Sequence, residues 1–293
     1  VQGSGLARKK TLLLGATSIV GYAIACAFDG QVLACRPARS RLRHRKDFTA
    51  VDLDDADAVG ELLEQHQPTR VVYCHAVCDV SKCEEKPKWA AQVNVDNLAR
   101  VLDQLPQQTH LTYVSSDHVF GHDGCYAETD TPCPISVYGQ TRVAAEQLVA
   151  QRDHSAVARV GLAIGPSADG RAGHRDWLVH RHNQSLPITV IRDEARSAVW
   201  AADAAERVMT ISQSGLVGLR HVVGSRLLDR PELATHLCKL LDIDPPLKIS
   251  TRAEQSSPHL GRIELSTVYN DQFAVALPSP IESNVLKETT YVG

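Results

Sequence analysis

The 293-residue chain has no dominant charge: 31 Lys and Arg face 34 Asp and Glu, a formal net charge of −3. The basic footprint of a nucleic-acid binder is absent, and no nucleic-acid partner is expected. It also lacks a CxxC pair. Its eight cysteines, Cys26, Cys35, Cys74, Cys78, Cys83, Cys125, Cys133 and Cys238, are too sparse for a disulfide scaffold and have no zinc-ribbon spacing. They read as buried free thiols, which suits a reducing, cytoplasmic setting, and no metal site is expected. There is no internal repeat and no low-complexity block. The length fits about two domains, or one large α/β domain with additions, and allows a core that needs no staple.

One apolar run imitates an export signal. Arg8, Lys9 and Lys10 precede the stretch Thr11–Phe28, whose length is at the low edge of a membrane span. Gly15 and Gly21 argue for another reading. Lys10–Gly15 reads as a buried strand, Gly15–Gly21 as a turn and Ile19–Phe28 as a helix of small residues. No membrane association is expected.

The same alternation continues. Strands are predicted at Gln31–Cys35, Phe48–Val51, Arg70–His75, His110–Ser115 and Ala156–Arg159. Helices are predicted at Ala56–Gln67, across Lys88–Leu105 and at Tyr138–Gln151. In the first of these, Val59, Leu62, Leu63 and His66 follow i, i+3, i+4, i+7 spacing. The pattern predicts a Rossmann-type α/β fold: a doubly wound parallel sheet with helices on both faces. Residues 1–165 would form the nucleotide-binding domain. Residues 166–275 would form a smaller substrate-binding lobe, partly threading back onto the sheet through a helix near Ala202–Ser212 and a strand at Arg220–Val223. A helix at Arg230–Leu241 follows, and residues 276–293 read as a tail.

The turn Gly15-Ala16-Thr17-Ser18-Ile19-Val20-Gly21 joins strand to helix, where backbone amides bind a pyrophosphate. Gly15 permits the tight turn and Gly21 close helix–strand packing, while Ser18 replaces the usual middle glycine. The second strand ends without the acidic residue that takes the ribose of NAD. Arg36 and Arg39 stand there instead and suit a 2′-phosphate, so NADP is expected over NAD. A solvated basic loop is the alternative, since Arg41, Arg43, Arg45 and Lys46 continue the run.

Two further motifs point to the same crevice: Ser115–Gly121 at the end of the fifth strand, and Tyr138-Gly139-Gln140-Thr141-Arg142 opening the next helix. With the glycine turn, Val51-Asp52-Leu53, His75-Ala76-Val77 through Cys83-Glu84, Val93-Asn94-Val95, Tyr126–Asp130, Tyr138–Glu146 and Arg159–Gly165, they make the chain resemble the extended short-chain dehydrogenase/reductases. Within that family it is similar to the dTDP-4-dehydrorhamnose reductase branch, which includes the regulatory β subunit of methionine adenosyltransferase. The resemblance runs from about Lys10 to Leu241.

The resemblance implies a role for each matching residue. Ser116 would hydrogen-bond the substrate carbonyl and Tyr138 would donate a proton as hydride arrives. Arg142 stands where the family has the lysine that holds the nicotinamide ribose. Asp52 and Leu53 would flank the adenine; His75, Ala76 and Val77 would lie along the cofactor. His118 and Val119 would face substrate, and Arg175 and Arg181 would meet a nucleotide-sugar diphosphate. Arginine keeps a positive charge beside Tyr138 but cannot deprotonate, and its planar fork does not replace an ammonium. An ordinary helix pair of Arg142 with Glu146 is the bland alternative.

Other departures are the missing tryptophan after Arg159 and the absence of magnesium-holding carboxylates at the glycine turn. Asp203 reads as an N-cap. The expected function is an NADP-preferring reductase of a keto group on a nucleotide-linked sugar or similar compound. A cofactor-binding regulatory subunit with little catalysis, and an epimerase or dehydratase of the same fold, stay open. A homodimer is the assembly considered.

Overall fold

The computed structural model describes residues 11–40, 42, 47–282 and 286. The basic residues Arg41, Arg43, Arg45 and Lys46 lie outside the described residues, as do Arg8, Lys9 and Lys10.

Seven parallel strands form the central sheet. In spatial order they are Gly218–Val222, Ser155–Val160, His110–Ser116, Arg70–Tyr73, Thr11–Leu14, Val32–Pro37 and Thr49–Val51. Every residue of Thr11–Leu14 is buried because both faces of the sheet are covered. Side chains alternate between two cores. Leu13 and Val72 join one with Ala23, Ala204 and Val208. Leu12, Leu14, Val71 and Tyr73 join the other with Val59, Leu98 and Ala145. The apolar run Thr11–Phe28 is therefore a strand, a turn and the helix Ile19–Ala27. Among the described residues, no helix is long and apolar enough to cross a membrane.

The helix starts carry local signals. Ser18 caps Ile19–Ala27, Asp55 caps Ala56–His66 and Ser136 caps Val137–Ala150, each accepting from first-turn amides. The stretch predicted as one helix over Lys88–Leu105 is Pro87–Ala91, a π-helical segment Gln92–Asp96 and Asn97–Gln104. Asp203 lies inside the first turn of Ala201–Ser214 rather than capping it. There its charge complements the helix dipole.

Glu146 does not pair with Arg142. Its carboxylate accepts from Ser115 Oγ at 2.5 Å and is held by Arg159 through Nε at 3.0 Å and Nη2 at 2.7 Å. This pair is 3% and 8% exposed and ties two strands to helix Val137–Ala150.

A second sheet lies in the smaller lobe, in the order Leu227–Asp229, Ala195–Ser197, Arg262–Leu265 and Gly124–Tyr126. Between these segments, Ala201–Val222 returns to the large sheet: Ala201–Ser214 packs on Ile19–Ala27, and Gly218–Val222 pairs with Ser155–Val160. The chain at 277–282, expected as a tail, is tied down. Leu277 N donates to Val223 O, and Ser225 N donates to Leu277 O.

Candidate active site

A cleft of about 1010 Å³ opens at the carboxyl ends of the large sheet and is closed on the far side by the smaller lobe. The strand order reverses beside Thr11–Leu14, as expected of a ligand crevice in an open α/β sheet.

The glycine turn forms one wall. Gly15 has φ +92°, and a Cβ there would lie 2.3 Å from His75 N, so only glycine lets the two loops touch. Ser18 Oγ donates to Gly15 O and accepts from Gly21 N, both at 3.0 Å. The serine in place of the middle glycine thus holds the turn together. Thr17, Ser18, Ile19 and Val20 line the cleft at the start of the helix, where amides have no intrahelical acceptor.

The opposite loop contributes His75, Ala76, Val77 and Cys78. Buried Asn94 fixes it: its Oδ1 accepts from Val77 N at 2.8 Å, and its Nδ2 donates to Val77 O at 3.0 Å and to Thr141 Oγ1 at 2.9 Å. One amide therefore positions this loop against the helix that carries Tyr138. Only its place in Val93-Asn94-Val95 hinted at such a role. Burial pushes the His75 imidazole down to about 4, so it is neutral at neutral pH.

Ser116, His118, Tyr138 and Arg142 meet in the middle of the cleft. Close approach of Gly139 to the His118 carbonyl allows it, since a Cβ there would lie 2.2 Å from that oxygen. The His118 and Tyr138 rings meet edge-on at 5.0 Å. Burial pushes the Tyr138 hydroxyl above its usual range. The Arg142 charge and a hydrogen bond with Ser116 pull it down, while Cys78 and Asp117 push it up. Burial takes His118 down to about 3.

Arg142 is only 4% exposed. Its Nη2 donates to Val114 O. Its guanidinium lies 5.0 Å from the Tyr113 ring centre and 5.6 Å from that of Tyr138. Burial opposes its charge, but Tyr113, Tyr138, Cys78 and Glu146 together hold its pKa up. It is a fixed cation behind the tyrosine.

Other sequence candidates lie elsewhere. Leu53 packs in the core, and Val119 is fully buried in a separate cluster. Arg36, Arg39 and Asp52 sit next to the cleft residue Pro37 without lining the cleft. Arg39 is 83% exposed and lies 3.8 Å from Asp52. Arg36 is buried, and its Nε has no hydrogen-bond partner among the described residues. In helix Gly173–Asn183, His174, Trp177 and Leu178 face the cleft at i, i+3, i+4 spacing. Arg175, one position round, pairs with Asp176 at 2.8 Å. Arg181 reaches the Pro187 carbonyl at 2.7 Å and stacks on Trp177.

A buried ionic network backs the cleft, and it left no sequence signal. Asp117, fully buried, is gripped by Arg196 through two hydrogen bonds. Arg196 also lies 3.6 Å from Glu194, which is shared with Arg230 at 3.5 Å and His259 at 2.9 Å. All eight cysteines are free; Cys78 and Cys125 are exposed rather than buried. Among the described residues, no cluster of His, Cys, Asp or Glu could hold a metal ion.

The RmlD substrate binding domain model matches residues 9–289. The chain belongs to this family. Relatives include a probable dTDP-4,6-dihydroxy-2-methyloxan-3-one 4-ketoreductase of Streptomyces antibioticus. It is 30% identical over 71% of this chain and 73% of its own length. Methionine adenosyltransferase 2 subunit beta of Pongo abelii is 32% identical over 54% of this chain and 48% of its own length. The crystal structure of dTDP-4-dehydrorhamnose reductase from Bacillus anthracis, in complex with NADP, superposes with a TM-score of 0.77. It shares 17% identity, with 94% of this chain and 96% of that one covered.

Proposed function

We propose that the chain reduces a keto group on a nucleotide-linked sugar or a comparable carbonyl compound, using NADP in preference to NAD. The observation that carries this reading is the meeting of Ser116 and Tyr138 in one cleft with the amides of the glycine turn. A bound nicotinamide cofactor supplies the hydride. The amide-rich turn from Thr17 to Val20 suits its pyrophosphate. The basic end of the second strand, where Arg39 is exposed beside Asp52, suits a 2′-phosphate.

The protein supplies orientation and a proton. Ser116 Oγ donates to the substrate carbonyl oxygen. Tyr138 O–H donates its proton to that oxygen as the carbon–oxygen double bond becomes a single bond. The resulting tyrosinate is stabilised by the Arg142 cation and regains its proton from solvent. The eight free thiols fit a reducing compartment, and we place the protein in the cytoplasm.

A second reading is a cofactor-binding subunit with little turnover, like the methionine adenosyltransferase relative by name. It is favoured by arginine at position 142, whose Nη2 is spent on Val114 O and which, unlike a lysine, cannot give up a proton. Titration with NADPH and NADH, followed by nucleotide fluorescence, tests the premise common to both. Saturable binding with NADPH the tighter ligand is expected. Binding of neither contradicts both readings.

A further inference from the structure

The Ser116 hydroxyl is directed by the next residue in the chain. Its Oγ donates to Asp117 Oδ1 at 3.1 Å and accepts from His118 N at 3.3 Å. A hydroxyl has one proton, so in the resting cleft that proton is committed to Asp117. Reduction of a carbonyl needs the same proton on the substrate oxygen. Asp117 therefore holds the hydroxyl in place and has to release it.

Arg196 lets the release happen at little cost. It comes from strand Ala195–Ser197 of the smaller lobe and reaches both oxygens of Asp117, Nε donating to Oδ2 at 2.5 Å and Nη2 to Oδ1. Asp117 is 0% exposed and Arg196 5%. A buried carboxylate without a counterion clings to every donor within reach. One already held at both oxygens by a guanidinium loses little when the serine turns away.

The same pair is balanced against Tyr138. On its own helix this tyrosine faces Arg142, and across the cleft Cys78, with Cys83 of the short helix Val80–Glu85 packed beside it. Strand His110–Ser116 and its end bring Tyr113, Asp117 and His118, and the smaller lobe brings Arg196. Burial keeps the two thiols, Tyr113 and His118 uncharged. The charge around Tyr138 is thus set by Arg142 and by the Asp117–Arg196 pair, in which the carboxylate disfavours a tyrosinate and the guanidinium favours it.

We propose that Asp117 is the positioning residue of Ser116 and that Arg196 is its counter-charge, so that the smaller lobe completes the proton-donating end of the cleft. This rests on the reductase reading above and deepens it.

The pH dependence of NADPH oxidation by the full chain, with a dTDP-linked 4-keto-sugar and with phenanthrenequinone as carbonyl probes, tests the pair. Asp117→Asn removes the anion and leaves the cation, so the alkaline limb is expected to move to lower pH. Arg196→Gln is expected to move it to higher pH and to lower the plateau, because the unbalanced carboxylate keeps the serine proton. In Asp117→Asn/Arg196→Gln both charges are gone and the amide oxygen still accepts from Ser116, so limb and plateau are expected to return toward wild type. Asp117→Ala/Arg196→Gln has no acceptor for Ser116. It is expected to lose about tenfold in kcat relative to the other double variant, with NADPH affinity unchanged, as one hydrogen bond warrants. Limb shifts of the same sign in the two single variants overturn the proposal. So do losses that add in Asp117→Asn/Arg196→Gln, which a packing role alone predicts, and so does equal kcat in the two double variants. If a single variant does not fold, judged by lost NADPH binding, the two double variants decide, since neither leaves an unpaired buried charge. Wild type that binds NADPH but reduces neither probe contradicts the reductase reading. Tyrosinate absorbance of each protein, less that of its Tyr138→Phe counterpart, then tests the pair without turnover: opposite shifts in the two single variants are expected, and shifts of one sign overturn it.

Discussion

Arg142 stands one helical turn beyond Tyr138, with its guanidinium 5.6 Å from the tyrosine ring centre and one Nη donating to the carbonyl of Val114. The cation is therefore held by backbone and by the Tyr113 face, and it acts on Tyr138 through its charge.

That arrangement fixes the sign of a pH effect. Removing the cation raises the Tyr138 pKa further, because burial then acts unopposed. In the reductive direction the protonated tyrosine is the active form, so the alkaline limb of the pH–rate profile moves up. Arg142→Met is expected to move it to higher pH and to lower the plateau, since a weaker acid donates less readily. Arg142→Lys is expected to keep the limb near its wild-type position. A steady-state profile from pH 6 to 11 checks both.

The Glu146–Arg159 pair is a stability element. Both groups are buried and bonded to each other, and Ser115 completes the carboxylate. Glu146→Gln leaves Arg159 charged and unpaired in the core. A loss of about 3–5 kcal/mol in urea unfolding is expected. An unchanged midpoint contradicts the assignment of this pair as a buried, paired charge.

Acid should weaken the fold well before the carboxylates titrate. His75 and His118 are depressed to about 4 and about 3, so the folded chain resists protons that the unfolded chain accepts near pH 6.5. Stability is then full above about pH 6.5 and falls toward pH 4. Glu194, held below its ordinary range by His259, Arg230 and Arg196 against the cost of burial, adds a further loss below about pH 4. Melting temperatures from pH 8 to 2.5 are expected to decline in that order. His75→Asn should flatten the upper part of the curve.

The glycine turn and the alternating large sheet were legible because the physics there is local or periodic. A strand buried on both faces must be apolar throughout, and a tight strand-to-helix turn with a positive φ needs a glycine such as Gly15. Ser116, Tyr138 and Arg142 were legible through their motifs. What escaped depends on how distant segments meet. The small-lobe sheet joins strands of three or four residues from four parts of the chain, too short to carry a period. Arg175 and Arg181 were reasonable choices by composition, yet the pitch of their helix presents His174, Trp177 and Leu178 instead. Arg196, Arg230 and Glu194 acquire meaning only when Asp117 and His259 arrive from elsewhere.

The central claim is that Tyr138 protonates a carbonyl oxygen in this cleft. Loss of NADPH absorbance with a panel of nucleotide-linked keto-sugars, wild type against Tyr138→Phe, tests it most directly. The account predicts turnover in wild type and a loss of about 10²–10⁴-fold in the variant, with NADPH affinity unchanged. Activity that survives Tyr138→Phe intact contradicts it.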